Sequence, residues 1–310
     1  MVPACVDATT WIGEHGPVVT SAVDSLRDSL AEAVRTRLGG PDGDERFLEL
    51  ISTKGPRYYA PDRPVRVVHA DTSMFIGGLR ALLLQTLHPL AMAGVAQHSD
   101  FRADPWGRLQ RTADFLTATT FGTTDAADAA IRRVRRVHRT VRGVAPDGRP
   151  YSAEDPRLLR WVHLAEVDSF LRAHSAYGSS PLDQSGRDGY VEDMALVARK
   201  LGVAAPPTTE RGVRDQLRTY RHEMHGTAEA RDAVRYLLLS PPLPLAARAP
   251  YALLGAAAVA LLPRWARWPL RLPNLPVLEA VAIRPAADAT MRTLRWSLES
   301  TSRRGETALR

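Results

Sequence analysis

Residues 80–115 read RALLLQTLHPLAMAGVAQHSDFRADPWGRLQRTADF, and residues 131–143, IRRVRRVHRTVRG, close the same region. The first stretch is apolar on nearly every side as far as Gln97, the pattern of a core helix rather than a surface one. From a cap at Asp71, Thr72 or Ser73 this helix runs to about His88, where Pro89 breaks or kinks it by removing an amide donor. Asp104 and Pro105 read as the cap and first residue of a helix that continues through Phe115 towards Thr120 and stops at Phe121-Gly122. Residues 125–141 form the next helix, on which Ile131, Val134, His138 and Val141 share one stripe. Between Arg80 and Gly143, ligand-capable side chains interrupt apolar faces more often than elsewhere in the chain. That pattern predicts a buried cofactor pocket.

On either side of this region the periodicity is again helical. Residues 19–38 form an amphipathic helix stopped by Gly39-Gly40-Pro41, and 44–51 a short one. The three prolines in 55–64 make a loop, and 143–148 a turn. Helices follow over 152–177, 188–201 and 208–225. Beyond Ala228 the chain is helical in pieces cut by prolines, ending with a helix over 286–300. No repeat and no alternating strand is visible. The expected fold class is therefore all-α, a single multi-helix domain over residues 1–310.

The bulk composition is 45% apolar and 24% charged, that of a globular chain able to bury a sizeable core. The net charge of +7 comes almost wholly from arginine, Lys54 and Lys200 being the two lysines. Such a bias is discounted as a nucleic-acid signal, and no nucleic-acid partner is expected. Cys5 has no partner for an internal disulfide. No secretory or twin-arginine signal opens the chain, so a reduced, cytoplasmic setting is expected. The apolar run 251–262 is too short to span a bilayer. LLPRWARWPLRLP at 261–273 could touch a membrane surface peripherally or simply pack as an irregular tail.

His138 points inward on its helix, while Arg132, Arg135, Arg136, Arg139 and Arg142 spread over the flanks. It reads either as a hydrogen-bonded core histidine or as a metal or haem-iron ligand, with the arginines pairing haem propionates or forming a solvated face. Arg108, Thr112 and Phe115 share another stripe, with Arg111 beside them; a buried cation there would mark a functional pocket. Pairing of Arg108 with a local carboxylate such as Asp104 is the structural alternative. His163 lies on a stripe with Leu159, Val167 and Phe170, as a second ligand candidate or a satisfied core residue. His88 and His98 read as structural residues or as lining the pocket. RHEMH at 221–225 lacks the four-residue histidine spacing of zinc proteases, and no phosphate loop, nucleophile elbow or cysteine cluster is present.

These motifs, in the order LLLQTLHPLAMAGVAQHSDFRADPWGRLQRTADF, Phe121-Gly122, HRTVRG and RWVH, resemble the rubber oxygenase (latex clearing protein) and MpaB-type oxygenase family over roughly residues 60–240. The resemblance implies an all-α fold enclosing a b-type haem, with His138 in the position of the proximal iron ligand. The family's distal Arg-x-x-Lys-Thr pattern falls on Arg108, Arg111 and Thr112, so Arg111 stands where the family has lysine. A guanidinium stays protonated and is a poor iron ligand, so a lysine-closed resting state is not expected. Residues 80–99 contain no Asp or Glu, leaving the family's distal carboxylate without an occupant. Cleavage of polyisoprene itself is therefore not expected.

The leading expectation is a haem-dependent oxygenase or oxidase for a small, largely apolar substrate, isoprenoid or otherwise unsaturated, using O2. Arg108, Arg111 and Thr112 would form the catalytic side; His138, Arg135, Arg139, His163 and His88 would bind the cofactor. A haem carrier or sensor, with His88 or His163 filling the sixth position, is the second reading. A helical membrane- or protein-interacting scaffold without cofactor is the third. Substrate, electron donor and oligomeric state are not legible from the residues.

Overall fold

Prolines set the main helix boundaries. Pro64, Pro89, Pro105 and Pro156 each stand in the first turn of a helix, where a missing N–H leaves no bond unmade. The computed structural model describes residues 43–99, 104–240, 243 and 245–308, so the helix expected over 19–38 lies outside the described residues. Helices α1 (Gly43–Ser52) and α2 (Pro64–Ala70) precede the apolar pair α3 (Met74–Gln85) and α4 (Pro89–His98). Between that pair the chain breaks rather than kinks, because His88 is extended and caps α4. Helices α5 (Pro105–Phe121) and α6 (Thr124–Thr140) follow, the first capped by the Asp104 side chain as expected and the second by that of Thr123.

A hairpin then interrupts the helices. β1 (Arg142–Val144) pairs antiparallel with β2 (Pro150–Ser152). The sequence reading saw only a turn here, because three residues per strand are too few to show an alternation. The fold is nonetheless mostly helical. α7 (Pro156–Tyr177), α8 (Gln184–Leu201), α9 (Glu210–Thr219), α10 (Ala228–Leu239), α11 (Leu245–Leu261) and α12 (Arg264–Arg267) follow. A turn at Pro276–Leu278 and a π-turn at Glu279–Ile283 lead into α13 (Arg284–Ala308). α8 starts four residues before the expected Asp188, where Asp183 caps it. α9 stops at Thr219, short of the expected 225, and a 3-10 turn at Arg221–Glu223 takes over.

The axis of the fold is α7, buried on most of its circumference from Leu158 to Tyr177. α3 lies along it, and α11 covers α3 from the other side. Gly77 permits the close approach: a Cβ there would stand 2.7 Å from Phe170 Cδ1 and 3.1 Å from Phe170 Cα. Arg80 crosses this seam and donates to Asp168 Oδ2 (2.6 Å), Ser169 Oγ (2.7 Å) and the Leu261 carbonyl (3.0 Å). Asp71 ties the α2–α3 corner to the far end of α7, accepting from the Ser179 amide and hydroxyl and from Arg295. Burial acts to raise its pKa, but hydrogen bonds from Ser73 and Ser179 outweigh that and hold it at about 2.

Candidate active site

The candidate residues stand on two elements of different character. One is the α5–α6 hairpin, which leans on α2 and α8 and does not pack along α7. The other is the inner face of α7, carrying His163, Glu166 and Phe170 one turn apart.

On α6, Ala127 and Ile131 are buried and Val134 and His138 half-buried, while Arg132, Arg133, Arg135, Arg136 and Arg139 are exposed. The predicted inward stripe and arginine face are thus both present. Burial lowers the His138 pKa, against the opposing pull of Glu154, so its imidazole is neutral at pH 7. Arg135 reaches the Lys200 carbonyl at 3.4 Å.

On α5, Arg108 is half-buried and its Nη1 donates to Ser99 Oγ at 3.0 Å. Burial lowers its pKa, and the neighbouring Arg111 adds to the effect. Arg111 and Thr112 are exposed. Arg111 bridges back to Asp104 at 3.2 Å, and the Thr112 hydroxyl donates to the Arg108 carbonyl. Of the three residues expected on the distal side, one turns inward and two lie at the rim. The stripe sinks along the helix, through half-buried Phe115 and Leu116 to buried Thr119 and Thr120. The hairpin turn at Gly122–Thr123 brings Arg108 and His138 to the same, open end.

On α7, His163 is buried and its Nε2 has no hydrogen-bond partner. Burial lowers its pKa to about 4. One turn on, Glu166 makes no hydrogen bond or ion pair among the described residues, and burial raises its carboxyl to about 7. His88 is buried and turns towards the 3-10 segment, its Nε2 3.5 Å from Glu223 Oε2 and its ring 6.2 Å from that of Trp161. Burial lowers its pKa against the pull of Glu223.

Sequence reasoning missed a polar cluster where α2, α5 and α8 meet. His69 on α2 meets Thr120 Oγ1 through Nδ1 at 2.8 Å and the Tyr190 hydroxyl through Nε2 at 3.4 Å. Its ring stands edge-on to Phe170 and Tyr190, and burial lowers its pKa to about 3. Glu166 was within reach of sequence reasoning, being three residues beyond His163. His69 and Tyr190 carried no local signal.

His69, Arg108, His138 and Glu166 share a diagnostic combination. Each keeps part of its surface uncovered by protein, yet burial disfavours the charged form of each. Side chains that are deep yet partly uncovered are placed to meet a ligand, and these four stand on α2, α5, α6 and α7. Among the described residues no three His, Cys, Asp or Glu side chains converge to hold a metal ion by themselves.

Fold and site together define a mostly helical protein in which half-buried imidazoles, one guanidinium and one carboxyl stand on helices α2, α5, α6 and α7. The chain belongs to the family described as ER-bound oxygenase mpaB/B'/rubber oxygenase, catalytic domain, whose model matches residues 65–296. It is thus an enzyme of the oxygenase type, for which an organic substrate and O2 are the partners. No curated protein and no solved structure matches the chain. The matched region runs past the expected limit at 240 and takes in α11, consistent with the packing of α11 on α3.

Proposed function

We propose that this protein is a haem b-dependent oxygenase whose iron takes His138 as its protein ligand and whose substrate is small, largely apolar and unsaturated. The observation that carries the reading is the neutral, half-buried imidazole of His138 on the inner stripe of α6. A porphyrin supplies four nitrogens, so one histidine suffices, whereas an ion held by side chains alone needs a cluster that the described residues lack. Bound haem would supply the iron centre for O2 chemistry. The chain's own groups do the rest. Arg108, held by Ser99, sets a fixed cation in a low-dielectric space where it stabilises developing negative charge. Phe115, Leu116 and Val95 exclude water and receive an apolar chain, for which an isoprenoid is the chemistry suggested by the family. Arg135 and Arg139, exposed beside His138, supply cations for the carboxylates at the haem edge. Arg111 and Thr112 stand at the mouth.

An absorption spectrum tests this. Purified protein should show an intense Soret band that vanishes or shifts in His138→Ala. Colourless protein from cells supplied with haem precursor overturns the proposal.

The orphaned Nε2 of His163 favours one second reading, a carrier or sensor with His163 as a second iron ligand. Carbon monoxide binding by the reduced protein supports the oxygenase; its failure supports the carrier. For peripheral membrane contact, the favouring observation is the segment from Trp268 (87% exposed) through Leu275, Val277 and Val281, flanked by exposed Arg264 and Arg271. Co-sedimentation with anionic vesicles, lost in Trp268→Ser, is the expected result. Among the described residues no single helix is long and apolar enough to cross a membrane.

A further inference from the structure

Four helices bring one polar group each to the region around the C-terminal end of α5: His69 from α2, Thr120 from α5, Glu166 from α7 and Tyr190 from α8. Three of the four satisfy one another. The neutral His69 ring donates at one nitrogen and accepts at the other, so Thr120 and Tyr190 occupy both of its positions. Phe170 and Tyr190 hold that ring edge-on. Glu166 is the member left over. It has no hydrogen bond and no cation among the described residues, and it stands one turn before Phe170, whose ring lies 5.6 Å from that of His69.

An unpaired carboxyl in an apolar interior is costly unless something else completes it. Its surroundings are otherwise those of a core, with Leu164, Ala165 and Val167 on the same helix fully buried. A fold has no use for a bare carboxyl at this position, since Leu would fill it without penalty.

We infer that this cluster is a binding subsite for the hydroxyl head of a long-chain apolar alcohol, with Glu166 as the group that hydrogen-bonds the hydroxyl. The inference rests on the proposed function, with an apolar substrate lodged beside α5 and α7, and deepens that reading by naming a substrate class. Length agrees. Arg108 and Thr120 are twelve residues apart on α5, about 18 Å of helix. A chain anchored at Glu166 therefore extends along Phe170, Leu116 and Phe115 towards the end held by Arg108 and His138. A hydroxyl suits Glu166 in both protonation states, because it donates to a carboxylate and accepts from a carboxylic acid. A fatty carboxylate would find a donor only in the protonated form and like charge in the ionised one, and an ammonium would find a partner only in the ionised form. The carboxyl's rise to about 7 by burial makes both forms present near neutrality.

Calorimetric titration of the protein as isolated with 1-decanol, decanoate and decylamine tests this, in the native chain, Glu166→Leu and Glu166→Gln. Decanol should bind the native chain and Glu166→Gln alike, about tenfold more weakly to Glu166→Leu, and decanoate should bind worst. Glu166→Leu deletes a buried charge, so an unchanged or raised melting temperature confirms that it folds. Equal decanol binding by Glu166→Leu and the native chain overturns the subsite, as does no binding to the native chain. Tighter, Glu166-dependent binding of decylamine overturns the alcohol assignment. The haem reading fails separately: a missing Soret band with Glu166-dependent decanol binding leaves this subsite standing, and a normal Soret band with indifferent decanol binding removes it alone.

Discussion

Nη2 of Arg80 donates to Oδ2 of Asp168 across 2.6 Å, in the seam where α3 lies along α7. Both side chains are nearly buried, and the remaining donors of Arg80 end on Ser169 and Leu261, neither of which carries charge. Asp168→Ala should therefore strand a buried guanidinium and lower stability by about 3–5 kcal/mol. The measurement is the urea midpoint at unchanged slope. Replacing both partners, as Arg80→Met with Asp168→Leu, should recover most of that loss. A double variant as unstable as the single one contradicts this account.

The same seam has a steric condition. A methyl at position 77 would meet the ring and backbone of Phe170. Gly77→Ala gains helix propensity but forces α3 and α7 apart, so a net loss of about 1–3 kcal/mol is expected. Adding Phe170→Leu, which removes the ring atom that the methyl meets, should restore part of it. Thermal melts of the three variants decide the matter.

Stability should depend on pH in two opposed ways. His69 and His163 have folded values of about 3 and 4, below the ordinary 6.5. Their contribution is complete above pH 6.5 and is lost as pH falls towards those values, because the unfolded chain binds the extra protons. Glu166 acts in reverse. Its folded value of about 7 lies above the ordinary 4.5, so its cost to the fold appears as pH rises from 4.5 to 7. Glu166→Gln should abolish that second dependence and leave the acid limb intact. A melting temperature that falls between pH 5 and 8 equally in both proteins would show that Glu166 is not the group responsible.

Arg108 and Arg111 are three residues apart but differently placed. Arg108 turns inward to Ser99, whereas Arg111 lies on the surface against Asp104. With haem bound, Arg108→Ala should keep the Soret band yet change carbon monoxide affinity of the reduced protein by roughly tenfold. Arg111→Ala should leave it unaltered. Equal effects from the two substitutions would remove the distinction drawn between them.

Much of this protein was legible before folding. Apolar periodicity, Pro at first turns and the Asp104 cap specify most helix starts within a few residues, since these are local properties of the backbone, whereas the ends of α9 and α13 lie further from their expected limits. The inward stripe carrying His138 and the order of motifs that marks the family are local in the same sense. The β1–β2 hairpin was not legible, because three residues cannot display a period. What the tertiary structure alone decided is which groups share a space. The burial of Arg108 against the exposure of Arg111 and Thr112 depends on how deeply α5 sinks against its neighbours. His69, Thr120, Glu166 and Tyr190 lie on four helices, with no spacing in common. They converge because α2, α5, α7 and α8 pack together, and that packing leaves the half-buried Glu166 carboxyl without a partner among the described residues.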